Sequence, residues 1–166
     1  MSNDNHKDIL VIGSGPGGYA AAFRAADLGR EVTLVDKDPT LGGVCLNRGC
    51  IPSKTLLHIS KVLEEAESLK KMGVTFTKPT IDIDLVRDWK NKVVSQLSGG
   101  IGQMAKARKV NTLQAEATFL SDNEVQLKSE SNTEKITFDH CIIASGSSST
   151  IIPGIPFDNE NVLTSK

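Results

Sequence analysis

The stretch Asp8–Asp36, DILVIGSGPGGYAAAFRAADLGREVTLVD, decides the fold. It opens with DILVIG, a short continuous apolar run ending in glycine, which is the pattern of a buried strand. Residues 15–29 then read as a turn opening an alanine-rich helix that stops at Gly29. EVTLVD, Glu31–Asp36, is a second strand. A strand, a helix and a strand of these lengths imply a parallel pair joined by a right-handed crossover.

Gly13-Ser14-Gly15-Pro16-Gly17-Gly18 fits G-x-G-x-x-G, and it lies where that pattern has a mechanism, between the strand and the helix. Gly13 allows the tight turn, Gly15 lets backbone approach a pyrophosphate, and Gly18 lets helix and strand pack closely. Phosphate oxygens then meet the free amides and the positive end of the helix. Asp36 ends the second strand, where an acidic side chain accepts hydrogen bonds from an adenosine ribose. These residues predict dinucleotide binding and leave open whether the ligand is NAD or FAD.

Further along the chain, SKTLLHISKVLEEAESLKKMG places Leu56, Ile59, Val62, Leu63, Ala66, Leu69 and Met72 at near-helical spacing. Pro52 stands at the start of this long amphipathic helix and Gly73 at its end. VTFTKPTIDI reads as a connection. DLVRDWKNKVVSQLSGGIGQMAKARKV looks helical on both sides of Gly99-Gly100, which either kinks or caps it. From Asn111 the pattern changes to short alternating runs, TLQAEATFL, EVQLKS and KITFD, a small antiparallel meander. HCIIASG resembles a separate buried strand, and residues 147–166 read as a loop leaving the domain.

At 166 residues the chain fits one ordinary domain. Its formal net charge of -1 provides no broad basic field, which argues against nucleic acid or anionic membrane as partner. The polar start MSNDNHK and the short apolar run after it do not make a signal-peptide core or a membrane span. A cytoplasmic location is therefore expected. In that reducing setting a purely structural disulfide is disfavoured, and a close cysteine pair suggests metal binding or redox chemistry.

Cys45 and Cys50 lie in LGGVCLNRGCIPSK, with four residues between them. That spacing departs from the two-residue spacing of zinc knuckles, and His58 offers only one further ligand nearby, so no metal site is expected. Across five residues of regular helix the Cα atoms would be roughly 8 to 9 Å apart. A disulfide needs about 4.4 to 6.8 Å, so any bridge requires an irregular segment, for which Asn47 and Gly49 are suitable. Ile51-Pro52 then starts the long helix and puts Cys50 near its N-terminus. The helix dipole contributes only roughly 0.3 to 1 kcal/mol to a thiolate there, and Lys54, one turn later on the same face, can add to it.

GGVCLNRGCIPSK, preceded by VIGSGPGGYAAAFRAADLG, resembles the N-terminal part of the dihydrolipoyl dehydrogenase family, which are flavoprotein disulfide oxidoreductases. The resemblance extends through TIDIDLVRDWKNKVVSQLSGGIGQMAKARKV and FDHCIIASGS, and so covers essentially the whole chain. It implies an α/β fold: a Rossmann-like FAD-binding domain with a parallel sheet, long helices and a small antiparallel β-meander. Residues 1–150 would form that domain, with the redox disulfide, and 151–166 a linker towards an absent NAD-binding domain.

The resemblance further implies FAD on Gly13, Gly15 and Gly18, with Asp36 at the ribose. The loop through Lys37, Thr40, Gly42, Gly43, Val44 and Cys45 would run along the cofactor, Ala117 would meet the adenine through its main chain, and Ser145 and Gly146 would replace an Ala-Thr-Gly motif. Cys45 would exchange with dihydrolipoamide, Cys50 would face the flavin, and Lys54 would lie near the ring. NAD is the implied final acceptor, its site lying outside this chain. A His-Glu pair donated by the partner subunit of a homodimer is also missing, and neither His58 nor His140 matches it. Implied partners are the lipoyl domains of 2-oxo acid dehydrogenase complexes. Arg48 stands where an apolar residue is usual and is expected to point to solvent, and Cys141 is expected to be a buried apolar filler. Glutathione-reductase or mercuric-reductase chemistry, or a cofactor-binding module without turnover, are the competing readings.

Overall fold

The computed structural model describes residues 5–164; Met1–Asp4 of the polar arm, and Ser165 and Lys166 of the C-terminal loop, lie outside them. The elements are β1 (His6–Ile12), α1 (Pro16–Asp27), β2 (Val32–Asp36), α2 (Gly43–Asn47), α3 (Cys50–Ser68), α4 (Ile83–Ala107), β3 (Asn111–Gln114), β4 (Glu116–Phe119), β5 (Glu124–Lys128) and β6 (Thr133–Ile143). A single 3₁₀ turn, Leu69–Met72, follows α3 and ends at Gly73, whose φ of 86° stops the helix. The amphipathic run therefore holds as helix but tightens over its last turn.

One sheet runs in the order β3-β2-β1-β6-β5-β4. β1 pairs parallel with β2 and with β6, and β2 pairs parallel with β3. β5 is antiparallel to both β4 and β6. β3 and β4 stand at opposite ends of that order yet only Ala115 separates them, so the sheet must fold back on itself. The antiparallel strands thus lie over one face of the parallel ones.

This architecture follows from the period-2 alternation of side chains along the strands. Ile9, Val11, Val32 and Leu34 point to one face and pack with Ala22, Phe23 and Ala25 of α1, Leu46 of α2 and Ile101 and Ala105 of α4. Leu10 and Val35 point to the other face, where Val125, Leu127, Ile136 and Phe138 cover them. Both faces are buried over Ile9–Val11 of β1 and Val32–Val35 of β2, which is why those stretches are apolar apart from the buried Thr33. Each fully buried Leu or Val contributes about 1.5–3 kcal/mol.

Two expectations about the second half change. KITFD and HCIIASG are one eleven-residue strand, β6, rather than a meander strand and a separate buried one. Thr137 is its pivot, paired antiparallel with Glu124 on one side and parallel with His6 on the other. A polar Asp139-His140 pair hid this continuity, because those two residues are exposed in mid-strand. TLQAEATFL likewise divides at Ala115 between the parallel sheet and the meander, where the Ala115 N–H donates to Asp36 O at 2.9 Å.

α4 runs unbroken through Gly99-Gly100 for 25 residues, so the glycines neither cap nor end it. Its start is fixed by Asp82, whose carboxylate accepts from the N–H groups of Asp84 and Leu85 at 3.0 and 3.1 Å. The buried residues of α4, Ile101 and Ala105, lie in its C-terminal half, and α3 buries no residue at all. Leu56, Leu57, Val62, Leu85 and Trp89 are consequently exposed. Among the described residues no helix is long and apolar enough to cross a membrane.

Candidate functional site

From β1 the chain moves outward to β2 and β3, then returns to the opposite side of β1 as β6. Such a reversal opens a crevice beyond the carboxyl ends of the strands, where ligands of open α/β sheets bind. The structure has a cleft of about 800 Å³ there. Gly13 after β1, Asp36 at the end of β2, Gly43 to Cys45 of α2, and Ser145 and Gly146 after β6 line it. A narrower continuation between Asp36, Lys37 and Ser145 reaches Ala117.

The glycines of the turn have separable roles. A Cβ on Gly18 would sit 1.7 Å from Gly13 O, so only glycine lets α1 approach the turn this closely. A Cβ on Gly15 or Gly17 would meet nothing within 4 Å, because both face the open cleft. That free space lies at the N-terminus of α1, whose first amides have no carbonyl partner within the helix. A pyrophosphate fits this cradle in size and in charge.

The loop after β2 is fastened to the same turn. Gly42 N–H donates to Ser14 O at 2.9 Å, and Gly43, at φ 60°, would put a Cβ 2.6 Å from Gly15 Cα. Asn47 Nδ2 donates to Leu41 O at 3.3 Å, and Ser98 Oγ donates to the same oxygen at 3.1 Å, tying the loop to α2 and α4. These contacts hold the N-terminus of α2, and with it Cys45, at the edge of the glycine-rich turn.

Cys45 and Cys50 form a disulfide, with Cα atoms 4.7 Å apart. The required irregularity falls at Arg48 and Gly49, between α2 and α3, where φ is -136° and -121°. Asn47 was a candidate for that break, but it is the last helical residue of α2 and uses its amide on the loop instead. Cys50 begins α3 as expected. Among the described residues no group of His, Cys, Asp and Glu is arranged to hold a metal ion.

The cleft brings together Gly13, Gly15, Asp36, Lys37, Gly43, Val44, Cys45, Ser145 and Gly146. Gly18 and Gly42 are buried behind its wall, and Thr40 lines a separate groove against α4. Cys50 and Lys54 stand exposed at the start of α3, off the cleft. His58 is exposed on α3 and His140 is exposed within β6, and neither lines the cleft. Cys141 is only partly buried, packed against the cluster around Leu10, and burial pushes its thiol pKa up.

Two contacts at the site escaped the sequence reading. Arg48 is exposed, as expected, and also pairs with Asp38 at the cleft wall, Nη2 to Oδ2 at 3.2 Å. An opposite charge ten positions earlier decides this, and sequence spacing does not register such a contact. Ser14, between the first two glycines, is buried and bonded to Asp36. A hydroxyl at a position that any small residue can fill was its only signal.

A Rossmann-like α/β fold that carries a disulfide beyond its second strand, beside the glycine-rich turn, is the architecture of a disulfide oxidoreductase. The chain belongs to the pyridine nucleotide-disulphide oxidoreductase family, whose model matches residues 7–166. It is 46% identical over 162 residues to dihydrolipoyl dehydrogenase of Vibrio cholerae, covering 98% of this chain and 34% of that protein. To the Bacillus subtilis dihydrolipoyl dehydrogenase it is 46% identical over 158 residues, 95% of this chain and 33% of the relative. Dihydrolipoyl dehydrogenase 3 of Haloarcula marismortui is 46% identical over 161 residues, again 95% and 33%. The chain thus spans about a third of the length of these relatives, and the match lies in their N-terminal portion.

Proposed function

We propose that this chain is the flavin and disulfide segment of a dihydrolipoyl dehydrogenase, which oxidises protein-bound dihydrolipoamide with NAD as final acceptor. The observation that carries the reading is the Cys45–Cys50 disulfide on a loop whose glycine packs directly on the phosphate cradle. The names of the relatives point to the same chemistry. Residues 1–150 are the cofactor domain in this reading and 151–166 the connection onward. FAD is the dinucleotide, held at Gly13, Gly15 and Gly18, with Asp36 at its ribose and Lys37, Thr40, Gly42, Gly43 and Val44 along its length. Ala117, Ser145 and Gly146 complete the adenosine and ring ends.

The chemistry of the cysteines balances as thiol–disulfide exchange. One thiolate of the dihydrolipoyl group attacks Cys45 Sγ, the Cys45–Cys50 bond breaks, and Cys50 leaves as a thiolate. The second substrate thiol loses its proton and attacks the mixed disulfide, releasing the cyclic lipoyl disulfide and a Cys45 thiol or thiolate. The substrate has lost two electrons, which now reside in the cysteine pair. The N-terminus of α3 and the ammonium of Lys54 one turn on favour the Cys50 thiolate. Bound FAD supplies the two-electron acceptor that returns the pair to the disulfide. Lipoyl domains of 2-oxo acid dehydrogenase complexes are the partners this chemistry fits, and a second subunit is the source of the proton acceptor.

The chain's short span of its relatives favours a second reading, a cofactor module that needs further segments for turnover. The visible absorption spectrum of the purified chain, with FAD and then dithiothreitol, separates the two. Long-wavelength thiolate-to-flavin charge-transfer absorption on reduction supports assembly of the redox site by this chain. Retained FAD whose spectrum is indifferent to dithiothreitol refutes the placing of Cys50 at the flavin.

A further inference from the structure

Ser14 occupies the position between the first two glycines of the turn and is 0% exposed. Its backbone N–H and its hydroxyl both donate to Asp36 Oδ2, each at 2.6 Å. The other carboxylate oxygen, Oδ1, accepts the Asp38 N–H at 2.9 Å. A carboxylate oxygen has two lone-pair directions. Oδ2 is therefore saturated by Ser14 alone, while Oδ1 retains one free direction. The turn itself does not need the hydroxyl, because the amide of any residue at this position reaches the same oxygen.

We propose that Ser14 is a positioning residue for the adenosine ribose, clamping Asp36 so that Oδ1 alone is presented to one ribose hydroxyl. The inference rests on the reading of FAD at this cleft. It deepens that reading by assigning how Asp36 is presented, with Oδ2 held by Ser14 and one direction of Oδ1 left for a single ribose hydroxyl. Ser14 also accepts the Gly42 N–H through its carbonyl at 2.9 Å, so one buried residue joins the phosphate turn, the ribose acid and the loop bearing Cys45.

The test is a mutant cycle on the intact protein, with FAD titrated onto apoprotein and binding read by flavin fluorescence. Ser14→Ala removes one oxygen and keeps the amide bond. It is expected to raise the Kd for FAD about tenfold, as loss of a charge-assisted hydrogen bond does. In an Asp36→Ala background the same change should have little effect, because nothing remains to position. An equal loss in both backgrounds overturns the inference and makes Ser14 a packing residue. Wild-type affinity in Ser14→Ala with weakened binding in Asp36→Ala also overturns it, yet leaves the ribose reading standing. Wild-type affinity in Asp36→Ala removes the ribose reading and the inference together. A ligand-side measurement needs no substitution: FAD analogues with 2′-deoxy- and 3′-deoxyadenosine are titrated onto the unaltered protein. One should bind about tenfold more weakly and the other close to FAD; equal weakening of both, or of neither, refutes single-hydroxyl recognition.

Discussion

Gly43→Ala is the substitution that most directly probes how the disulfide-bearing loop is joined to the glycine-rich turn. The residue has φ 60°, and its added Cβ would lie 2.6 Å from Gly15 Cα, a backbone atom that cannot rotate away. Carbon atoms at optimal contact are about 3.5–4.0 Å apart, so loop and turn must separate by roughly 1 Å. The left-handed backbone costs an alanine roughly 1–2 kcal/mol, and the overpacking adds about 1–3 kcal/mol. Gly29→Ala is the matched control. Gly29 has φ 84° with nothing within 4 Å of its would-be Cβ, so only the backbone term applies. For a domain of this size 1 kcal/mol shifts Tm by about 2–4 °C. Thermal unfolding should therefore fall by roughly 2–8 °C in Gly29→Ala and by roughly 4–20 °C in Gly43→Ala. FAD titration should show weaker binding in Gly43→Ala alone, since Gly29 lies at the far end of α1 from the cleft. Equal Tm losses in the two variants, or unaltered FAD affinity in Gly43→Ala, would refute the close packing of loop on cradle.

The cysteines predict a separation of activities: in the full-length protein Cys45→Ser or Cys50→Ser should abolish dihydrolipoamide oxidation while reduced flavin still passes electrons to artificial acceptors. Undiminished lipoamide turnover in either variant contradicts the exchange chemistry. At the opposite end of the sheet, Arg30 pairs with Asp8 through both carboxylate oxygens and holds its carboxyl below the ordinary aspartate range. A carboxyl depressed in the folded state stabilises it above the unfolded pKa, and that contribution disappears as pH falls through the folded value. Asp8→Asn should accordingly flatten the acid limb of a stability-against-pH curve, and an unchanged limb counts against the pair. The exposed Leu56, Leu57, Leu85 and Trp89 on α3 and α4 predict concentration-dependent self-association of the isolated chain. Light scattering that reports a monomer at all concentrations would contradict this.

The N-terminal half was readable because its signals are local. The turn glycines, the short continuous apolar runs of the strands and the Gly29 and Gly73 helix stops act over a few neighbours, so their spacing carries the geometry. Gly73 marks a helix end for the same reason, whereas Asp82, read as part of a connection, is the N-cap of α4. Gly99-Gly100 misled because a local glycine penalty of about 1 kcal/mol each is outweighed by the packing of Ile101 and Ala105 on the core. β6 misled because its polar middle resembles a break until partners on both sides are known.

By itself the sequence determined the β-α-β start, its glycine-rich turn and the placing of Cys50 at the start of a helix. Each of these follows from steric and hydrogen-bonding demands within a short segment. Tertiary structure alone decided that β3 and β4 part across Ala115, that Thr137 joins two pairings, that Arg48 meets Asp38, and that Ser14 grips Asp36. Those outcomes depend on which strands become neighbours. Whether a hydroxyl or a guanidinium finds its carboxylate is settled only when the folded core brings the two within about 3 Å.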